Sequence, residues 1–200
     1  MSARSGQATS LRGSLIIADA SISGPKNGRS QIFELKTVIS SDTGSHRFNL
    51  RAAAVIFQDE YVLLHRVEGD DFWCLPGGRV EPGEHAAQTV VREMHEEVGA
   101  SVQIEKTLCV VENFFSHNGQ TNHEIGLYLV ARLEFGSPLL DLAVSHHGSE
   151  GNKRLTFSWV SRKRLSEIEV RPTFLRQLLQ AEHLARAHVI QRGSHFEISY

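Results

Sequence analysis

Residues 77–100 read GGRVEPGEHAAQTVVREMHEEVGA, and the end of this stretch poses a physical problem. From His85 to Val98 the apolar residues Ala87, Val90, Val91, Met94 and Val98 fall within about 100° of arc at helical spacing. The spacing predicts an amphipathic helix with a core-facing stripe, stopped by Gly99 as a C-cap. Yet Glu93, Glu96 and Glu97 crowd its last turns. Unpaired carbonyls make that end partly negative, so each acid there costs about a few tenths of a kcal/mol or more. On the helical wheel Glu97 lies about 40° to one side of Glu93 and Glu96 about 60° to the other, all clear of the apolar stripe. Three carboxylates on one face are hard oxygen donors suited to Mg²⁺ or Mn²⁺. A bound cation would offset both their repulsion and the conflict with the helix dipole. The alternative is a solvated acidic face relieved by Arg92 and Glu96 at i,i+4, worth only about 0.3–0.5 kcal/mol.

Outward from this helix the pattern changes to strands. Arg51 to Phe57 and Tyr61 to Arg66 are β-rich runs joined by Gln58-Asp59-Glu60, a natural hairpin connection. Phe72 to Leu75 continues that pattern until Pro76-Gly77-Gly78 breaks it. Thr107 to Phe115 and Thr121 to Leu133 flank Asn118-Gly119, a strong hairpin signal. Leu155 to Val160 reads as another strand, and Pro172 opens a last helix with Leu175, Leu178, Leu179 and Leu184 on its apolar side. Residues 145–153, SHHGSEGNK, read as a polar loop. In Gln31 to Ser40 the residues Phe33, Leu35 and Ile39 suggest a first strand, one that could pair with a partner chain in a homodimer. Residues 1–30 are Ser- and Gly-rich, with Arg4 and Arg12 but no amphipathic arginine face, so a loose tail is expected rather than a transit peptide.

The 200 residues carry 40% apolar side chains, which fits one domain with additions. With 21 basic and 23 acidic residues the formal charge is −2. That gives no general attraction to a nucleic-acid backbone or an acidic membrane. Cys74 and Cys109 are far apart and in no Cys-x-x-Cys spacing, so neither a structural zinc nor a disulfide framework is implied. A reducing cytoplasm is the expected location. No apolar run approaches the ~20 residues needed to span a bilayer.

The stretch around the helix carries a resemblance. Gly78, five residues, Glu84, seven residues, then Arg92-Glu93-Met94-His95-Glu96-Glu97-Val98-Gly99 is similar to the signature of the Nudix hydrolases, G-x(5)-E-x(7)-R-E-U-x-E-E-x-G-U, with U bulky and aliphatic. All seven fixed positions match; Met94 and Ala100 depart mildly at positions that concern packing. The resemblance extends over roughly residues 47–185, including Phe72-Trp73-Cys74-Leu75-Pro76-Gly77-Gly78 leading into the box. It implies an α/β (α+β) fold, an α/β/α sandwich with a mixed central sheet. It also implies an N-terminal extension over 1–45, the domain over 46–190 and a C-terminal tail over 191–200.

The activity so implied is divalent-metal-dependent hydrolysis of the pyrophosphate linkage in a nucleoside diphosphate joined to another group. By resemblance Glu93, Glu96 and Glu97 ligate Mg²⁺ or Mn²⁺, the Gly77 carbonyl is a further ligand, and Glu84 and Arg92 hold loop to helix, with Gly78 and Gly99 shaping the backbone. The general base is either a glutamate of the box, Glu93, or one from elsewhere. Glu124 is the outside candidate: a two-residue turn at Asn118-Gly119 puts it opposite Asn113 and away from Ile125, Leu127, Leu129 and Leu133. Trp73, Phe115 and Trp159 could stack on a base or pack in the core, and Arg51 and Arg66 could contact phosphate or pair with surface acids. His95 fills a free position of the box, and His146-His147 lacks a third ligand at metal-like spacing. Two other functions share the fold: a nucleotide-sensing module that does not hydrolyse its ligand, and an isoprenoid diphosphate isomerase.

Overall fold

A computed structural model describes residues 37–117, 119–181 and 186–200. Among them, ten strands form one mixed sheet. β1 (Ser40–Asp42), β2 (His46–Gln58), β3 (Tyr61–Val67) and β4 (Gly77–Arg79) precede helix α1 (Ala86–Val98). β5 (Val102–His117), β6 (Gln120–Leu133), β7 (His146–Glu150), β8 (Lys153–Ser161), α2 (Phe174–Gln180), β9 (Ala187–Arg192) and β10 (His195–Ser199) follow. The strand order is β10-β9-β5-β6-β2-β3-β8-β7, with β1 and β4 also paired to β2. β2 runs parallel to β6 and β5 parallel to β9; the other pairings are antiparallel.

Period-2 alternation along β2 separates two cores, because successive side chains point to opposite faces. Ala52, Ala54 and Ile56 pack with Val90 and Met94 of α1 on one face. Ala53 and Val55 pack with Leu175, Leu178 and Leu179 of α2 on the other. A helix on each side of the sheet is the α/β/α layering expected from the sequence.

β2 and β3 share only two residue pairs, at Phe57/Val62 and Gln58/Tyr61. Below them the sheet opens, and the segment from Trp73 to Arg79 fills the gap. Cys74 bridges His65 of β3, the Pro76 carbonyl accepts from Ala54 N at 2.8 Å, and Gly77–Arg79 pairs with Ala53–Arg51 of β2. Pro76-Gly77-Gly78 therefore leads into a strand instead of ending one. Phe72 to Leu75 is held by isolated bridges and is not a regular strand. This crossing brings the start of the box to the splayed centre of the sheet.

Several sequence expectations change. Residues 145–153 hold β7 and its hairpin to β8, not a loop. β7 is an edge strand without an alternating apolar face to reveal it, and polar edges resist pairing with other chains. Residues 191–200, expected as a tail, include the end of β9 and all of β10. α2 begins at Phe174, two residues after Pro172. Most of the expected strand at 31–40, as well as Asn118 and Leu184, lies outside the described residues. Trp159 is buried, with its indole N–H on the Leu139 carbonyl at 2.6 Å, and belongs to the core. Among the described residues no helix is long and apolar enough to cross a membrane.

Candidate active site

α1 starts one residue after His85, which caps it: His85 Nδ1 accepts from Gln88 N at 3.3 Å and Gln88 Oε1 from His85 N at 3.1 Å. Gly99 ends it at φ 68°, a left-handed conformation suited to glycine. Its buried face includes most of the apolar stripe, with Val90 and Met94 in the core and Ala87 and Val98 packed against it, but reaches beyond it. Val91 is 41% exposed, whereas Glu93 and Glu97 are 5% and 4% exposed and Thr89 is fully buried. The fully buried arc overlaps the stripe at Val90 and Met94 and is rotated towards the acids. Two backbone approaches explain the rotation. A Cβ on Gly78 would stand 2.1 Å from Glu93 Oε1, and one on Gly148 of β7 would stand 2.0 Å from the Glu97 carbonyl oxygen. Only glycine lets β4 and β7 close over that side of the helix. Glu96 stays exposed.

Arg92 organises the loop before the helix. Its Nε and Nη2 donate to the two oxygens of Glu84 at 2.7 and 3.0 Å, a forked pair of charge-assisted bonds. Nη2 also reaches the Arg79 carbonyl at 3.2 Å, and Nη1 reaches Glu93 at 2.7 Å and Glu96 at 3.3 Å. Glu84 Oε2 further accepts from Glu81 N and Thr89 Oγ1. The Arg92 bonds foremost, with these neighbours, hold the Glu84 carboxyl down from 4.5 to about 2. Because the folded-state value is the lower one, this interaction stabilises fully above about pH 4.5 and fades as pH falls towards 2. Glu84→Gln is therefore expected to cost about 1.5–3 kcal/mol at pH 7, the range for bonds to charged groups. The gap between parent and variant melting temperatures should narrow on titration from pH 7 to pH 2.5; a gap independent of pH would sink this assignment.

His65, a polar residue within the apolar run of β3, was not singled out by the sequence. It is 7% exposed, and its Nδ1 lies 3.8 Å from Glu97 Oε2. Burial, then the nearby Arg51 charge, pushes its pKa down to about 3, so the ring beside Glu97 is neutral near pH 7. Its Nδ1 has no hydrogen-bond partner. The signal that could have found it is register: His65 is the residue bridged to Cys74, at the edge of the gap filled by the box.

Arg51 approaches from β2. Its Nη2 donates to the Gly77 carbonyl at 2.7 Å. Burial works against its charge, but Glu124 foremost, with Glu97 contributing, outweighs that and raises its pKa. Glu124 pairs with Asn113 of β5, as the turn predicts, and with Asn49 of β2. Alternation places it on the face of Tyr128, packed towards α2. The face that receives Val90 and Met94 of α1 is the opposite one. Its link to the box runs through Arg51. Asn49 and Asn113 are buried beside it, and Asn113 Oδ1 has no partner.

The other candidates are dispersed. Arg66 lies over the Trp73 ring at 4.7 Å from its centroid. Trp73 is half-buried against the core on the α2 face. Phe115 shares the Asn113 face of β5 and stands opposite Asn122. His95 is exposed, and His146 bonds the Asp141 carbonyl at 3.2 Å. An open groove of about 630 Å³ lined by Thr173, Arg176, Gln180, Phe196 and Tyr200 contains none of the box residues.

The donor set of Glu93, Glu96, Glu97 and the Gly77 carbonyl is all hard oxygen, which fits Mg²⁺ or Mn²⁺ in chemistry. The cradle around Glu93, closed by a glycine without a Cβ, fits as well. Among the described residues, however, no three His, Cys, Asp or Glu side chains are gathered as a metal shell. The guanidinium of Arg92 holds Glu93 and Glu96, and that of Arg51 holds the Gly77 carbonyl.

The model of the NUDIX domain matches residues 47–180. The chain belongs to the Nudix family. Among curated relatives, the putative ADP-ribose pyrophosphatase YjhB of Bacillus subtilis (strain 168) is 28% identical over 122 residues, covering 60% of this chain and 59% of that one. Human diphosphoinositol polyphosphate phosphohydrolase 2 is 36% identical over 70 residues, covering 33% and 39%. This Nudix chain thus spans less than two thirds of either relative. A solved UDP-X diphosphatase superposes with a TM-score of 0.48 at 21% identity, covering 66% of this chain and 60% of that one.

Proposed function

We propose that this Nudix chain is a divalent-metal-dependent pyrophosphohydrolase that cleaves a nucleoside diphosphate derivative to a nucleoside monophosphate and a phosphorylated remainder. The observation that carries the reading is the burial of Glu93 and Glu97 on α1 while Val91 of the same helix stays exposed. Burying carboxylates costs free energy that positive charge must offset, and a divalent cation beside the Arg92 guanidinium would supply more of it.

Glu93, Glu96, Glu97 and the Gly77 carbonyl would hold Mg²⁺ or Mn²⁺. A divalent cation supplies charge neutralisation at phosphate oxygens and makes water more acidic. Glu84 and Arg92 keep the loop before α1 docked on the helix. The Gly78 approach confines Glu93, and neutral His65 fills the space beside Glu97 without bringing a competing charge. Either Glu93 or Glu124 takes the proton of the attacking water. Arg51 and Arg66 are proposed for phosphate contacts, and Trp73 and Phe115 for the rest of the substrate, a small-molecule nucleotide. Relatives named for ADP-ribose and diphosphoinositol polyphosphate support the bond class and leave the leaving group open. A cytoplasmic location and a homodimer remain parts of the proposal.

The test is phosphate release from a panel of ADP-ribose, dinucleotides, nucleotide sugars, nucleoside triphosphates and diphosphoinositol polyphosphates, with Mg²⁺ or Mn²⁺. Turnover abolished by a chelator and restored by added metal supports the proposal. Tight nucleotide binding without turnover by a folded, metal-loaded chain would replace it with a sensing module. Glu124→Gln separates the two bases: a fall in kcat of about 10²-fold or more is expected if Glu124 takes the proton. Unchanged turnover would leave that role to Glu93.

A further inference from the structure

Two guanidinium groups touch the proposed metal donors, and they come from different parts of the fold. Arg92 belongs to the box itself. Arg51 reaches in from the centre of β2, and its Nη2 lies 2.7 Å from the Gly77 carbonyl oxygen. In the parallel pairing with β6 it stands opposite Gly126, next to Glu124 on the same face. Of the acidic groups that couple to it, Cys74 and Tyr128 are kept neutral by burial, which pushes Cys74 up to about 11 and Tyr128 well above its ordinary value. The negative charges that remain are Glu124 and Glu97. His65, which also faces this site, is neutral. Arg51 thus brings a positive charge to the sheet face of Glu124, and it sits on an oxygen that the metal reading assigns to the ion.

We propose that Arg51 is a positioning residue that stands in for the divalent cation. Its guanidinium holds the Gly77 carbonyl and supplies positive charge at the site, and it gives up that carbonyl when metal binds. The idea rests on the metal reading given above. Its consequence runs opposite to simple damage. A side chain that merely supported the site would, when removed, loosen the site and weaken metal binding. A resident competitor, when removed, takes a positive charge away from the site and leaves the carbonyl open, so metal binds more tightly.

The experiment is a Mn²⁺ titration of the full chain, followed by calorimetry and by the electron paramagnetic resonance signal of free Mn²⁺, on the parent, Arg51→Gln and Arg51→Lys. Arg51→Gln should bind Mn²⁺ about fivefold or more tightly than the parent, while Arg51→Lys, which keeps the charge, stays within about twofold. Equal or weaker binding by a folded Arg51→Gln overturns the proposal while leaving the metal reading intact. A parent that binds no Mn²⁺ overturns both. A second measurement needs no variant to be stable: hydrogen exchange of the Arg51 guanidinium in the parent should quicken on saturation with Mg²⁺. Unchanged protection would mean that Arg51 never leaves the carbonyl, and would overturn the proposal.

Discussion

Glu97→Gln is expected to lower kcat by about 10²–10³-fold, equivalent to about 3–4 kcal/mol of barrier, while the folded chain melts at or above the parent temperature. The side chain is 4% exposed, beside neutral His65 and beneath the backbone of Gly148. It also lies in the last turn of α1, where the helix dipole disfavours a negative charge. The amide is nearly the same size, so packing survives. Removing the charge relieves both desolvation and the dipole conflict, the Arg51 guanidinium keeps Glu124 as its larger partner, and a hard anionic donor is deleted from the proposed ligand set. Opposite signs for activity and stability mark a charge retained for function. Melting curves without added metal and kcat at saturating Mg²⁺ test the pair of effects. Turnover near that of the parent would remove Glu97 from the metal site, and a large loss of stability would mean the charge has a structural partner that matters more.

Gly77→Ala should be the most damaging single substitution in the loop before α1, at about 3–5 kcal/mol of folding stability. Gly77 has φ 137°, which side chains avoid, and its added Cβ would stand 2.2 Å from the Ala52 carbonyl oxygen and 2.7 Å from Ala53 Cα. Both are backbone atoms of β2 at the centre of the sheet, so they cannot turn aside. The neighbouring Gly78→Ala makes the contrast. Its Cβ meets only the Glu93 carboxylate, the end of a flexible side chain. Gly78→Ala should therefore fold with a cost of about 1–2 kcal/mol, within the usual range for point changes, yet lose turnover because Glu93 is displaced. Denaturant midpoints of the two variants, measured beside kcat, check this ordering. Equal destabilisation would mean that the β2–β4 contact does not confine Gly77 as described.

The legibility of the site divides along the same lines. The box was readable because its constraints are local. Gly99 closes the helix, Arg92 and Glu84 are eight residues apart within one loop and helix, and the carboxylates fall at helical spacing. The hairpin register was equally local, and Glu124 faces Asn113 as the Asn118-Gly119 turn requires. The buried face of α1 was readable only in part. Hydrophobic periodicity selects Val90 and Met94 correctly and adds the exposed Val91, but the close approaches of Gly78 and Gly148 come from β4 and β7, which no helical pattern can report. β7 itself escaped because an edge strand can be polar on both sides. β9 and β10 were missed for a related reason. Their half-exposed positions give little contrast, and it is the parallel pairing of β9 with β5 that brings this hairpin into the sheet.

Sequence by itself determined the chemistry on offer: a helix carrying three carboxylates, a forked Arg92–Glu84 pair and glycines where the backbone turns. These depend on residue type and on separations of a few positions, and short-range sterics and charge act on both directly. Only the tertiary structure decided which carboxylates are withdrawn from water, that neutral His65 stands beside Glu97, and that Arg51 bonds the Gly77 carbonyl on the sheet face of Glu124. Those relations arise where β2 and β3 part to admit the segment before the helix. Burial and Coulomb energy depend on distances in space, which a linear order of residues does not contain.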